Sequence, residues 1–227
     1  MALTRYYCKV DIFLTMTVNP KWEEMIRALL PGQQPHDRPD LVTRVFHLKK
    51  EALLHEITKD GIFGRAAAHV YTIEFQKRGL PHVHLLIVLE DGSKLLMPAD
   101  VDSAICAQWP DPETQPRLFE VIKKCMVHGP CGAVNPRAPC MDNGKCTKFY
   151  PKPFQPFTTM DDDGYPNYRR PDDGKTYEIN RHEVDNQWIV PYNPYLSARF
   201  DCHINVECAV TIRSIKYPFK YIHKGGN

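Results

Sequence analysis

The stretch Val70 to Leu89, VYTIEFQKRGLPHVHLLIVL, constrains the fold more than any other part of the chain. Val70 to Gln76 is β-branched and aromatic with polar residues in alternation, the pattern of a half-buried strand. Pro81 to Leu89 carries two histidines and then an almost unbroken apolar run, as expected of a strand in the middle of a sheet. Lys77, Arg78 and Gly79 supply a turn between them, so the two strands are expected to pair as an antiparallel hairpin. Side chains two apart on a strand share a face, so His82 and His84 point the same way, and so do Glu74 and Gln76. A register placing Gln76 opposite His82 and Glu74 opposite His84 would gather all four on one side of the sheet. Two imidazoles beside an amide or carboxylate oxygen can hold a divalent cation and leave coordination positions open. The plainer alternative is a polar pair on a strand surface.

The rest of the chain supplies partners for this hairpin. Asp11 to Val18 alternates and is β-branched, predicting a central strand. Asn19-Pro20 reads as the cap and first position of a helix running to Leu30. Asp40 is expected to cap a second helix, with Leu41, Val45, Leu48, Ala52, Leu53 and Ile57 at helical spacing and Gly61 at its end. Short helices are predicted over Asp100 to Trp109 and Leu118 to Val127. From His128 to Phe157 Pro, Gly, Cys and Lys break all periodicity, and Tyr165 to Trp188 reads as loop with short hairpins. Ile189 to Tyr195 is expected to be extended. Asp201 to Val210 predicts another strand, with His203, Asn205 and Glu207 on its polar face, and Thr211 to His223 a closing helix. The summed order implies an α+β fold: a central antiparallel sheet with helices packed on one face.

Composition narrows the partners. With 29 basic and 27 acidic residues the formal charge is +2, so any nucleic-acid surface must be local. No apolar run reaches the roughly 20 residues of a membrane span, and no membrane association is expected. Eight cysteines without a secretory signal pattern favour reduced thiols or metal ligands over a disulfide framework. The ending at Lys224-Gly225-Gly226-Asn227 raises the expectation of a piece of something longer.

Three further groups of residues bear chemistry. His128, Cys131, Cys140 and Cys146 have the composition of a tetrahedral zinc set in a Pro-rich segment with little core of its own, and Cys125 could replace one ligand. Buried reduced thiols are the alternative. Tyr217 and Tyr221 lie four apart on the predicted last helix, as do Lys220 and Lys224. Two phenols beside cations and a metal-polarised phosphodiester could act as successive nucleophiles, although tyrosines at this spacing mostly just pack. The cluster Tyr168-Arg169-Arg170 mixes an aromatic with cations, as a groove tracking a nucleic-acid strand would, or a solvated turn.

Taken together, DIFLTMTVNPKW, EFQKRGLPHVHLL, MVHGPCG with PCMDNGKCTKFYPKPF, WIVPYNPYLS, HINVE and KYPFKYIHKG resemble the Rep nuclease region of Helitron rolling-circle transposases, the Helitron helicase-like N-terminal family. That region is a branch of the HUH endonucleases, and the likeness runs from Asp11 to Gly225. It implies one HUH (Rep) domain over residues 1–227, with a zinc-binding insertion over 125–157. It implies His82 and His84 as metal ligands, with Gln76, or alternatively Glu74, as the third. Mg²⁺ or Mn²⁺ suits that set. It implies Tyr217 and Tyr221 as nucleophiles and Lys224 as a helper near the phosphate; Lys220, Arg169 and Arg170, read from spacing and composition, are expected toward DNA. The implied activity is cleavage and transfer of single-stranded DNA of transposon ends, leaving a 5′-phosphotyrosine and a free 3′-hydroxyl. The alternative is a zinc-stapled, non-catalytic DNA-binding module. The resemblance also implies a nuclear protein, in longer form fused to a Pif1-like helicase.

Overall fold

A computed structural model describes residues 10–75, 80–162 and 164–209. Gln76, Tyr217, Lys220, Tyr221, Lys224 and the expected closing helix lie outside the described residues. The long strands form one antiparallel sheet: β1 (Ile12–Thr17), β2 (Ala66–Phe75), β3 (Pro81–Leu89) and β10 (Ile204–Cys208), in the order β10-β1-β3-β2. The first and last of them are neighbours, so closing the sheet brings distant parts of the chain together.

Period-two alternation gives the sheet two unlike faces. On one face Ile12, Leu14 and Met16 of β1, Val83, Leu85 and Ile87 of β3, and Ile204 and Val206 of β10 are buried. They pack on α1 (Glu23–Ala28) and α2 (Pro39–Thr58) through Met25, Val42, Phe46, Leu53 and Ile57. Each such side chain contributes about 1.5–3 kcal/mol by leaving water. The other face is apolar at one end, where Phe13, Leu86 and Val88 meet Val10 and Ala209, and polar at the end holding the histidines. Helices therefore cover one face of a mixed α+β sheet, as expected.

The Asn-Pro start signal operates at a different site from the one expected. Asn19 caps no helix: its Oδ1 accepts from Lys21 N at 2.9 Å, and its Nδ2 donates to Asp201 O at 2.6 Å. Helix α1 begins only at Glu23, with Glu23 and Glu24 in the first turn, where negative charge meets the positive end of the helix dipole. The working Asn-Pro pair is Asn193-Pro194. Asn193 Oδ1 accepts from Leu196 N at 2.9 Å and starts α5 (Pro194–Phe200), within a segment the sequence predicts to be extended. Trp22 Nε1 donates to Phe200 O at 2.7 Å, so the two Asn-Pro segments dock on each other.

The remaining helices, α3 (Pro98–Ala104) and α4 (Pro116–Cys125), each start two residues before the predicted positions, at a proline that fits the first helical turn. Trp109, Leu118, Phe119, Ile122 and Tyr192 form a second core around α4 and α5. Residues 128–188 hold three two-stranded pairs: β4 (Met141–Asp142) with β5 (Lys145–Cys146), β6 (Thr159–Met160) with β7 (Pro166–Asn167), and β8 (Tyr177–Ile179) with β9 (His182–Val184). The open edge of β10 is covered by other segments, since Val206 N donates to Pro191 O at 3.0 Å and Cys208 N to the Tyr168 hydroxyl at 2.9 Å. Among the described residues no helix is long and apolar enough to cross a membrane.

Candidate functional site

The polar end of the sheet is built by register. Thr17 lies opposite His82, and Glu74 lies opposite His82 from the other side. Thr17 N donates to His203 O at 3.0 Å, so Glu74, His82 and Thr17 form one row across three strands, continued by His203 just before β10. The adjacent row is Thr72, His84, Thr15 and Asn205. This hairpin register differs by two residues from the expected one, which paired Glu74 with His84. The convergence survives because Glu74 reaches diagonally: its Oε2 is 3.3 Å from His84 Nε2. A two-residue shift preserves the face of every side chain, which is why facing was legible when pairing was not.

Both histidines are held from several sides. The His82 and His84 rings meet edge to face at 4.5 Å, and His84 stacks on Phe13 at 5.9 Å. A 2.5 Å hydrogen bond joins Thr17 Oγ1 to His82 Nδ1. Burial, with smaller effects from His84 and His203, pushes His82 down to about 3. Burial also lowers His84, against the pull of Glu74, and lowers His203. Imidazoles kept neutral in this way retain the lone pairs a cation needs. His203 was read from sequence as one of three polar residues alternating toward solvent. It sits instead at the end of the histidine row, its Nδ1 buried without a hydrogen-bond partner among the described residues. The signal was its shared face with Asn205 and Glu207; what was missing was the neighbour of that strand.

This polar end opens into a cleft of about 740 Å³. Its floor is the sheet, with Glu74, His82, His84, His203, Asn205 and Glu207; its opposite wall comes from residues 147–170, including Lys148, Phe149, Tyr150 and Lys152. Burial raises the Tyr150 phenol to about 12 and lowers Lys152.

The wall is anchored by the second candidate centre. His128, Cys131, Cys140 and Cys146 place one ligand atom each within 4.8 Å of one another, and could hold a metal such as zinc. His128 Nε2 is 3.5 Å from Cys146 Sγ and 3.7 Å from Cys131 Sγ. A tetrahedral zinc site with ordinary bond lengths has N···S edges of about 3.6 Å, so the spacing fits. As thiols these sulfurs crowd one another: burial and its two neighbours push Cys131 up to about 12, a cost a dication would reverse. Among the described residues this is the group of three or more such ligands that converges on one point; the sheet histidines and Glu74 line a common cleft more loosely. Cys125 lies at the end of α4 and is not in the quartet. The described cysteines are all free.

Arg170 lines the cleft, but its guanidinium is tied into the protein. It is 4% exposed, and its Nη1 donates to the carbonyls of Ala107, Asn186 and Ile189 at 3.1, 2.8 and 2.6 Å. The chain there ties the insertion to the second core, and a buried guanidinium adds hydrogen bonds to carbonyls inside the protein. Tyr168 is buried too, while Arg169 is exposed.

The family model described as the Helitron helicase-like domain at the N-terminus matches residues 1–87, the stretch that contributes Glu74, His82, His84 and Thr17. No curated protein matches the chain. The match relates the protein to Helitron transposases. Over residues 1–87 the chain is similar to the Helitron helicase-like N-terminal family.

Proposed function

We propose that this chain is the HUH-type nuclease and strand-transfer domain of a Helitron transposase, acting on single-stranded DNA of transposon ends. The observation that carries this reading is the convergence of His82, His84 and Glu74 on the one polar end of the sheet, at the floor of a cleft with lysines and aromatics on its wall. Two neutral imidazoles and a carboxylate fit Mg²⁺ or Mn²⁺ with positions left over. In this role Glu74 supplies the oxygen for which Gln76 was the first choice. When bound, such an ion supplies positive charge beside a phosphate oxygen. His82 Nδ1 is held by Thr17, which leaves Nε2 for the cation.

Tyr217 and Tyr221 are the nucleophiles in this reading, with Lys220 and Lys224 beside them; all four lie outside the described residues. A phenolate oxygen forms the new P–O bond, the 3′ oxygen leaves and takes up a proton, and the 5′ phosphate stays on tyrosine. The Cys/His quartet holds structural zinc. The longer protein carries a Pif1-like helicase and works in the nucleus.

The test is a labelled single-stranded oligonucleotide incubated with Mn²⁺, with mass spectrometry of the product. A covalent adduct is expected, and its loss in the double variant Tyr217→Phe, Tyr221→Phe and in His82→Ala. Binding that survives His82→Ala, with no adduct from the parent chain, would replace this reading with the non-catalytic DNA-binding module.

A further inference from the structure

Phe149 is a large apolar side chain left 78% exposed at the rim of the cleft. Its backbone is left-handed, at φ 57°, a conformation that costs a bulky residue about 1 kcal/mol or more. Two features hold it there, and both belong to the zinc quartet. Phe149 N donates to the carbonyl of the ligand Cys146 at 2.9 Å. The ring of the next residue, Tyr150, stacks on the ligand His128 at 4.1 Å with 10° between planes. Lys152 then lies 5.7 Å from the Phe149 ring and 5.2 Å from the Tyr150 ring, and lines the same cleft as the sheet histidines.

We infer that the segment Lys148–Lys152 is a strand-binding platform held in place by the zinc site, with a base stacked on Phe149 and phosphates against Lys148 and Lys152. This deepens the proposed nuclease reading and rests on it for the direction of the strand toward His82. The occupant follows from the charges. The wall carries the cations, while Glu74 and Glu207 lie on the floor. An exposed ring flanked by lysines suits a polyanion with flat bases, and stacking is available only where bases are unpaired. The whole chain is nearly neutral, so this local segregation is what a nucleic-acid strand would recognise.

Binding is measured with the zinc-loaded full chain and a fluorescein-labelled oligothymidine, by anisotropy without Mn²⁺, so that no chemistry intervenes. Phe149→Ala should weaken binding by roughly 5- to 100-fold, and Phe149→Trp should restore it to within about threefold of the parent. Lys152→Gln should reduce the dependence of log affinity on log salt by about 0.7. Zinc content and melting temperature of Phe149→Ala should match the parent, since the ring is exposed. A parent chain that fails to bind, or a Phe149→Ala variant within about twofold of it, overturns the platform. An adduct formed with Mn²⁺ while Phe149→Ala binds normally sinks the platform alone. Binding that depends on Phe149 without any adduct keeps the platform and sinks the nuclease.

Discussion

Thr17 Oγ1 lies 2.5 Å from His82 Nδ1, across the pairing of β1 with β3. A hydroxyl there sets which imidazole nitrogen faces the cleft, because the ring cannot turn without breaking the bond. Thr17→Val keeps the β-branched shape and removes only this contact. Mn²⁺ affinity at the sheet site should fall about 10- to 100-fold, while urea unfolding shifts by no more than about 1 kcal/mol. Titration of the oligonucleotide-cleavage rate against Mn²⁺ reads the first quantity; an unchanged midpoint would remove Thr17 from the site.

Glu74 stands 3.3 Å from His84 and is half exposed on its own strand. Glu74→Gln should cost more in metal binding than in stability, since water can replace most of what the carboxylate does in the fold. Stability should change by less than about 1 kcal/mol, and Mn²⁺ dependence of adduct formation should move to higher concentration. Equal metal response in the two proteins would return the third position to Gln76.

The quartet of His128, Cys131, Cys140 and Cys146 predicts one bound zinc per chain, measured by elemental analysis. At free zinc about 100-fold above the dissociation constant, the ion should stabilise the fold by roughly 3 kcal/mol. Chelation should lower the melting temperature and expose three further thiols to a titrating reagent. Thiol reactivity unchanged by chelation would mean buried, reduced cysteines without an ion.

Two adjacent arginines should behave oppositely. Arg170→Ala removes three buried hydrogen bonds from a cation to carbonyls and should destabilise by about 3 kcal/mol. Arg169→Ala, on an exposed side chain, should stay within about 0.5 kcal/mol. Urea denaturation of the pair decides; equal effects would contradict the buried network.

Without added divalent cations, acid should unfold the protein through its histidines. His82 is held at about 3, against 6.5 for an ordinary histidine, chiefly by burial. Between those values the unfolded chain binds the proton and the native one does not. The stability is therefore complete above pH 6.5 and is lost progressively as pH falls toward about 3. From pH 6.5 to about 5 His82 alone accounts for roughly 2 kcal/mol, with His84, His128 and His203 acting in the same direction. Unfolding curves near neutrality and at about pH 5 check this; equal stability would mean that His82 is solvated.

Much of the sheet was legible because strand alternation is a local property. Side-chain facing along Ile12–Thr17, Pro81–Leu89 and Ile204–Cys208 follows from period two alone, and so does the shared face of His82 and His84. The Cys/His quartet was legible for a related reason: four strong ligands within a short Pro-rich segment have few other ways to be satisfied. Helix starts were less so. Asn19-Pro20 and Asn193-Pro194 carry the same signal, and which of them caps a helix depends on whether the asparagine side chain is drawn elsewhere, as Asn19 is to Asp201.

What the sequence determined by itself was therefore the long strands and the helix over Pro39–Thr58, the faces they turn inward and the residues able to bear chemistry. The tertiary structure decided what those residues meet. It set the hairpin register that puts Glu74 across from His82, brought His203 to the end of the same row, and turned Arg170 inward. The physical reason is range: facing and metal spacing are set by neighbours along the chain, whereas register, burial and the far side of a cleft are set by packing between segments that the sequence holds far apart.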